Sequence, residues 1–356
     1  MIALALALVT ALAHVPKPVA MGTSWTAAQL AHLRSDVERT LASAPTLRGA
    51  HVGFIALETA SGRVLFERGA DDAFMPASTF KVLTGSAALQ KLGPSFTFKT
   101  LVALAGDGRL VLRGGGDAQL SPSDLDAAAA AVAAAGVGTI DEIDGDASYF
   151  ERAAYLPGWM VDDVPFYFAP ALTSLCLDGN VVHLTVTPGT SAGARAGFSA
   201  IPNATLSIDN RVTTGAAKTA STVDVSREGA TIVLVGSIPL EAAPEKVDAA
   251  VPDPSAYAID IFTQALLAHG VDVAPTTRVR TMNEPVPAQR LLWSHDSAPL
   301  PQVLHDFWYR SDNLIGEMLL KSLGVARSGA PGTSESGAVL EAEWLRTLGI
   351  DRRKWT

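Results

Sequence analysis

Apolar residues at positions 26–41 fall three and four apart, with Leu30, Leu33 and Val37 on one face. This spacing predicts a helix capped by Ser24 or Thr26. Two short apolar runs follow, residues 51–57 and 64–67, divided by Ser61-Gly62, and they read as a hairpin. Met75-Pro76-Ala77 interrupts the chain. Phe80, Leu83, Thr84 and Leu89 then open an apolar helix that stops at Gly93-Pro94. From Phe96 to about Thr281 the texture turns β-like. Runs at 100–104, 110–112, 181–187, 204–208 and 231–235 are separated by Gly, Pro, Asp and Asn, with helical stretches embedded at 123–135 and 255–269. Helical spacing returns at 300–307, at 313–323 with Gly324 expected to close it, and at 339–348 before Gly349.

Residues 2–13, IALALALVTALA, form an apolar run too short to cross a bilayer comfortably, and it ends in an A-x-A pattern. Residues 1–20 are therefore expected to be a signal peptide, although the usual positive flank is missing. No other stretch reaches the length of a membrane span. The 356 residues are 48% hydrophobic and 18% charged, which provides for a sizeable core and excludes a disordered chain. The net charge of −9 and the lack of a basic stripe argue against a nucleic-acid partner. The lone cysteine, Cys176, permits no internal disulfide and reads as a buried small hydrophobe. The seven histidines are scattered without ligand spacing, so no metal and no cofactor is expected.

The candidate chemistry begins at Ser78-Thr79-Phe80-Lys81, an S-x-x-K motif. Serine and lysine three apart on a helix share a face. Free N–H groups at the helix start favour negative charge there. A serine hydroxyl needs a base to become nucleophilic, and a lysine serves once burial and neighbouring charge lower its pKa. Ser311-Asp312-Asn313 is an S-x-N motif: its serine can relay a proton to a leaving nitrogen, and its amide can hold both a substrate amide and the lysine. Chance alone supplies about half of one S-x-x-K and about a third of one S-x-N in a chain of this composition, so the pair needs context. Asp312 is expected to be structural; Trp159, Tyr167 and Phe168 could line a peptide groove, but packing in the core is the default expectation.

Context comes from longer stretches. A hairpin followed by a Pro-Ala-Ser-x-x-Lys helix is the arrangement of penicillin-recognising serine enzymes, and S-x-x-K with S-D-N belongs to that group. Met75 to Thr84 (MPASTFKVLT), Leu112 to Asp117 (LRGGGD), Leu156-Pro157-Gly158-Trp159, Asp178-Gly179-Asn180, and His295 to Leu300 ahead of Ser311 to Glu317 (SDNLIGE) carry a further likeness. In these stretches the chain resembles the D-alanyl-D-alanine carboxypeptidases of the penicillin-binding protein 4 type, the S13 peptidase family, from about residue 26 to the end. The separation of 233 positions from Ser78 to Ser311 fits that resemblance, because such enzymes carry β-rich domains inserted between the two motifs.

The resemblance implies an α+β fold: a serine transpeptidase-like domain, with an antiparallel sheet flanked by helices, into which β-rich domains are inserted. The expected boundaries are 24–96 for the first part of the catalytic domain, 97–285 for the insertion and 286–356 for the second part. The implied activity is a serine D-Ala-D-Ala carboxypeptidase, with endopeptidase action on cross-links left open. It would be exported to the periplasm, trim peptidoglycan stem peptides and be acylated by β-lactams. Ser78 would be the nucleophile, Lys81 the general base, Ser311 the proton relay and Asn313 a substrate-binding residue. The oligomeric state is not fixed by the sequence. A β-lactamase or esterase on a related fold, and a non-catalytic wall-binding protein, stand as alternatives. The last is raised by an absence: relatives carry a Lys-Thr-Gly motif after S-x-N, and this chain has none. Lys99-Thr100-Leu101, Lys218-Thr219-Ala220 and a loop at Arg327-Ser328-Gly329 are poor substitutes. The expectation is a catalytic domain truncated at its C-terminus, poorly active alone and rescued by an ordinary family C-terminus.

Overall fold

The computed structural model describes residues 25–151, 155–156, 158–282 and 284–350. The expected signal segment and the charged Asp351 to Lys354 stretch lie outside the described residues, as does Pro157. Two compact units are distinguished: described residues up to Phe80 with Gly349 and Ile350, and residues 81–348.

The first unit opens with helix α1 (Ala27–Ser43). Thr26 caps it: its hydroxyl accepts from Gln29 N at 3.3 Å, while Gln29 Oε1 accepts from Thr26 N at 2.8 Å. This reciprocal pair satisfies two of the orphan donors at a helix start. Strands β1 (Phe54–Leu57) and β2 (Val64–Arg68) form the expected antiparallel hairpin, with Phe54 opposite Arg68. A 3-10 turn, Ala77–Phe80, follows.

The second unit starts with α2 (Lys81–Leu92). Then come β3 (Lys99–Ala105), β4 (Leu110–Arg113), α3 (Pro122–Ala134) and β5 (Ile140–Asp146). Eight short strands follow: β6 (Val181–Thr187), β7 (Gly197–Ser199), β8 (Ser207–Asn210), β9 (Thr213–Gly215), β10 (Asp224–Glu228), β11 (Thr231–Val235), β12 (Ser237–Pro239) and β13 (Glu245–Ala250). Helix α4 (Pro254–Ala268), β14 (Val273–Met282) and β15 (Ala288–Asp296) lead to three closing helices, α5 (Leu300–Arg310), α6 (Asn313–Ser328) and α7 (Ser334–Thr347).

A five-stranded mixed sheet has the order β14-β5-β4-β3-β15; β14, β5 and β4 run parallel, and β3 and β15 antiparallel to their neighbours. The strands β6–β13 form three small sheets of two or three strands. One core runs from the large sheet (Val102, Leu112, Ile143) through α3 and α4 (Leu125, Phe262) into the small sheets (Leu184, Leu234). A second core gathers Ala88 of α2, Leu304 and Phe307 of α5, and Leu314 and Met318 of α6, with Phe98, Phe150 and Cys176. This second core fixes the helices that carry the two motifs.

Three details depart from the sequence expectations. Gly324 does not end α6, which runs on to Ser328. A Cβ at Gly324 would lie 2.5 Å from the Thr333 carbonyl oxygen, so the glycine permits close approach of α6 and the start of α7. Arg327 and Ser328 are accordingly helical, not loop. Helix α7 begins at Ser334, well before residue 339, because Thr333 caps it with its hydroxyl accepting from Ser336 N at 3.0 Å.

Candidate active site

Lys81 is the first residue of α2. Its ammonium donates to the Ser311 carbonyl at 2.8 Å, to Ser311 Oγ at 3.1 Å and to Asn313 Oδ1. Three of the four sequence-expected site residues therefore converge on one nitrogen, although the two motifs lie some 230 residues apart.

The link between α5 and α6 explains the convergence. Ser311 is the C-cap of α5 and takes a left-handed conformation, φ 55° and ψ 41°. A non-glycine residue held there stores about 1–3 kcal/mol, which the surrounding structure must offset. Asp312 follows as the N-cap of α6, its Oδ1 accepting from Ile315 N at 2.9 Å. The chain thus reverses within two residues, and the side chains of Ser311 and Asn313 are presented together. Asp312 has the expected structural role and adds a negative charge near the lysine.

Burial pushes the Lys81 ammonium below the ordinary lysine value, and the Asp312 carboxylate works against that shift. The net lowering increases the neutral-amine fraction that can accept a proton. The backbone of Lys81 is also held, its carbonyl accepting from Trp308 Nε1 at 3.0 Å.

Ser78 lies in the 3-10 turn of the first unit and is exposed. Ala77 before it has φ 44°, again in the left-handed region. Thr79 N donates to the Pro76 carbonyl at 3.0 Å, which closes the turn. Along the chain Ser78 precedes Lys81 by three residues, and the turn is followed directly by α2.

One contact was not legible in the motifs. Asn313 Nδ2 donates to the Phe168 carbonyl at 2.7 Å. The Asn313 amide therefore spans Lys81 on its oxygen side and residue 168 on its nitrogen side. Tyr167 and Phe168 are not core residues: they are 63% and 40% exposed, in edge-to-face contact with each other. Trp159 is partly buried against the second core. Cys176 is buried, and burial raises its thiol pKa well beyond the ordinary value. Among the described residues no group of three or more His, Cys, Asp or Glu side chains is placed to hold a metal ion. Among them also no helix is long and apolar enough to cross a membrane.

Residues 33–355 match the D-Ala-D-Ala carboxypeptidase 3 (S13) family. A D-alanyl-D-alanine carboxypeptidase of Actinomadura sp. (strain R39) is 34% identical over 347 residues, which cover 91% of this chain and 63% of that protein. D-alanyl-D-alanine carboxypeptidase DacB of Haemophilus influenzae is 24% identical over 313 residues, covering 85% of this chain and 65% of that protein. The chain thus spans a little under two thirds of the length of these relatives. The crystal structure of penicillin binding protein 4 from H. influenzae superposes with a TM-score of 0.76 at 23% identity, covering 89% of this chain and 71% of that one. The same protein complexed with a β-lactam gives a TM-score of 0.67 at 22% identity, covering 83% and 66%. These superpositions show the fold, α+β with a PBP4-type arrangement.

Proposed function

Because the chain belongs to the D-Ala-D-Ala carboxypeptidase 3 (S13) family, we propose that it is a serine D-Ala-D-Ala carboxypeptidase acting on peptidoglycan stem peptides, with the endopeptidase reaction on cross-links as its companion. The observation that carries this reading is the seating of the Lys81 ammonium among Ser311 Oγ, the Ser311 carbonyl and Asn313 Oδ1. A surface lysine has no need of three acceptors; a general base that must be held and partly desolvated does.

In the proposed reaction, neutral Lys81 takes the proton of Ser78 Oγ, which attacks the carbonyl between the two D-alanines. The Oγ–C bond forms and a tetrahedral oxyanion develops. On its collapse the C–N bond breaks, and the leaving amine receives a proton from Lys81 through Ser311. Asn313 holds the peptide backbone of the substrate. Water then attacks the acyl-serine, the ester breaks, and Ser78 recovers its proton. No metal or nucleotide is required. A β-lactam enters the same first step, with its ring amide in place of the peptide. The β-lactam complex of the H. influenzae protein supports that extension.

The proposed domain division follows the same reading: 24–96 and 286–356 for the catalytic domain and 97–285 for the insertion, with β15 (Ala288–Asp296) reaching across that boundary to complete the sheet beside β3. Export to the periplasm, directed by residues 1–20, fits a wall-peptide substrate. Release of D-alanine from a peptide ending in D-Ala-D-Ala tests the activity. Turnover by the wild type, however slow, that is lost in Ser78→Ala supports it; measurable release that is equal in both proteins rejects it.

A further inference from the structure

Beneath the helix that carries Lys81 lies a layer of ionisable side chains that the reaction does not use. Glu341 of α7 is buried, 4% exposed. The Thr84 hydroxyl of α2 donates to Glu341 Oε1 at 3.0 Å. Thr84 is itself buried and stands one turn after Lys81 on the same helix.

The charges in this layer do not balance. Lys321 of α6 is 1% exposed, and its ammonium donates to Glu151 Oε1 at 2.7 Å. Glu151 also accepts from Ser334 N at 2.8 Å. Glu317 of α6 accepts from Ser334 Oγ at 3.2 Å and feels the charges of Lys321 and Glu151. Two carboxylates, Glu151 and Glu317, thus share the ammonium of Lys321, which is hydrogen-bonded to Glu151, and among the described residues no cation acts on the third, Glu341. What faces Glu341 is the Thr84 hydroxyl from α2 and the Glu317 carboxyl from α6. A buried carboxylate facing a hydroxyl and another acid is expensive to ionise, so such a group holds its proton.

We infer that Glu341 is a positioning residue for the proposed acylation, holding the first turns of α2, and with them Lys81, through the Thr84 hydroxyl. It acts as a neutral acid whose carbonyl oxygen accepts from Thr84. Burial raises its pKa to about 7, the Thr84 hydrogen bond acts against the rise, and the Glu317 charge adds to it. Ionisation would place an uncompensated charge under α2 at mildly alkaline pH. This inference rests on the proposed function for its readout in acylation, and on geometry alone for its readout in stability.

The test compares wild type, Glu341→Gln, Thr84→Ser and Thr84→Val between pH 5 and pH 9. Two quantities are read: the rate of labelling by a fluorescent penicillin, and the midpoint of thermal unfolding. Glutamine keeps the acceptor and cannot ionise. The labelling ratio of Glu341→Gln to wild type should rise with pH, approaching about tenfold at pH 8 if only the neutral form is competent. Its unfolding midpoint should exceed that of wild type by about 2–4 °C or more at pH 8, with a smaller difference at pH 5. Thr84→Ser should retain labelling and Thr84→Val should lose it. A labelling ratio and a midpoint difference that both stay constant with pH would overturn the inference. Equal labelling of Thr84→Val and wild type would also overturn it. A wild type that labels at no pH while its midpoint still falls relative to Glu341→Gln would reject the proposed function, and the positioning role with it, yet leave the buried proton on Glu341 established.

Discussion

The Lys81 ammonium hydrogen-bonds to Asn313 Oδ1, a contact between residues 232 apart in sequence. The amide nitrogen of the same asparagine donates to the Phe168 carbonyl. One side chain therefore connects α2, the start of α6 and the segment before residue 169. Asn313→Ala removes both hydrogen bonds at once. Penicillin labelling should fall by roughly 10²-fold or more, since a base displaced by an ångström loses about that much. Asn313→Asp should behave differently: it keeps an acceptor for Lys81 but adds a negative charge beside it. That charge favours the ammonium, raises the Lys81 pKa, and should shift the rising limb of the labelling–pH profile to higher pH.

The opposite shift is expected of Asp312→Asn. Asparagine caps a helix about as well as aspartate, so α6 should keep its start. The Asp312 carboxylate acts against the burial that lowers the Lys81 pKa. Removing its charge should lower that pKa further and move the rising limb of the profile to lower pH. A pH–rate series on the two variants checks both signs in one experiment.

Gly324→Ala should destabilise the protein without touching the reacting groups. The new Cβ would lie 2.5 Å from Thr333 O and 2.9 Å from Thr333 N, both backbone atoms that cannot swing aside. Overpacking of this kind costs about 1–3 kcal/mol. Urea unfolding should show the loss as a lower midpoint at unchanged slope.

His183 supplies a pH dependence of stability. Its Nδ1 lies 2.6 Å from Asp248 Oδ1 and its Nε2 3.1 Å from Asp178 Oδ2. Burial lowers its pKa, but the hydrogen bond to Asp248 and the charge of Asp178 outweigh that and raise it above 6.5. A raised histidine contributes stability that is complete below its unfolded pKa and is lost as pH rises through the folded value. The contribution is small, because the imidazole is half exposed. Asp248→Asn should flatten the fall in unfolding midpoint from about pH 6.5 upward.

The local elements were legible where hydrophobic period and turn chemistry agree. The Thr26 cap, the hairpin around Ser61-Gly62 and the strands Val181–Thr187 and Thr231–Val235 all follow from their own residues. Strand β5 was not legible, because its sequence IDEIDGD is half acidic. Asp144 and Asp146 are fully buried there, and their partners Arg109 and Arg113 come from β4 and the turn before it. Such compensation is set by sheet order, which no local pattern records. Gly324 misled for a related reason: a glycine near a helix end suggests a stop, and only the neighbouring helix reveals close packing. In the candidate site, S-x-x-K and S-x-N pointed to Lys81, Ser311 and Asn313 through their chemistry. The Phe168 carbonyl and the Trp308 indole left no signal, because one is backbone and the other is an ordinary apolar residue of α5.

The proposed reaction stands on Ser78 as a nucleophile served by the Lys81 constellation. The most direct test is the intact mass of the purified 356-residue chain after incubation with a penicillin, with Ser78→Ala and Lys81→Ala alongside. One stable penicilloyl adduct is expected on the wild type, none on Ser78→Ala, and labelling slowed by roughly 10²–10⁴-fold on Lys81→Ala. A folded wild type without adduct, or an adduct that survives Ser78→Ala, would contradict it.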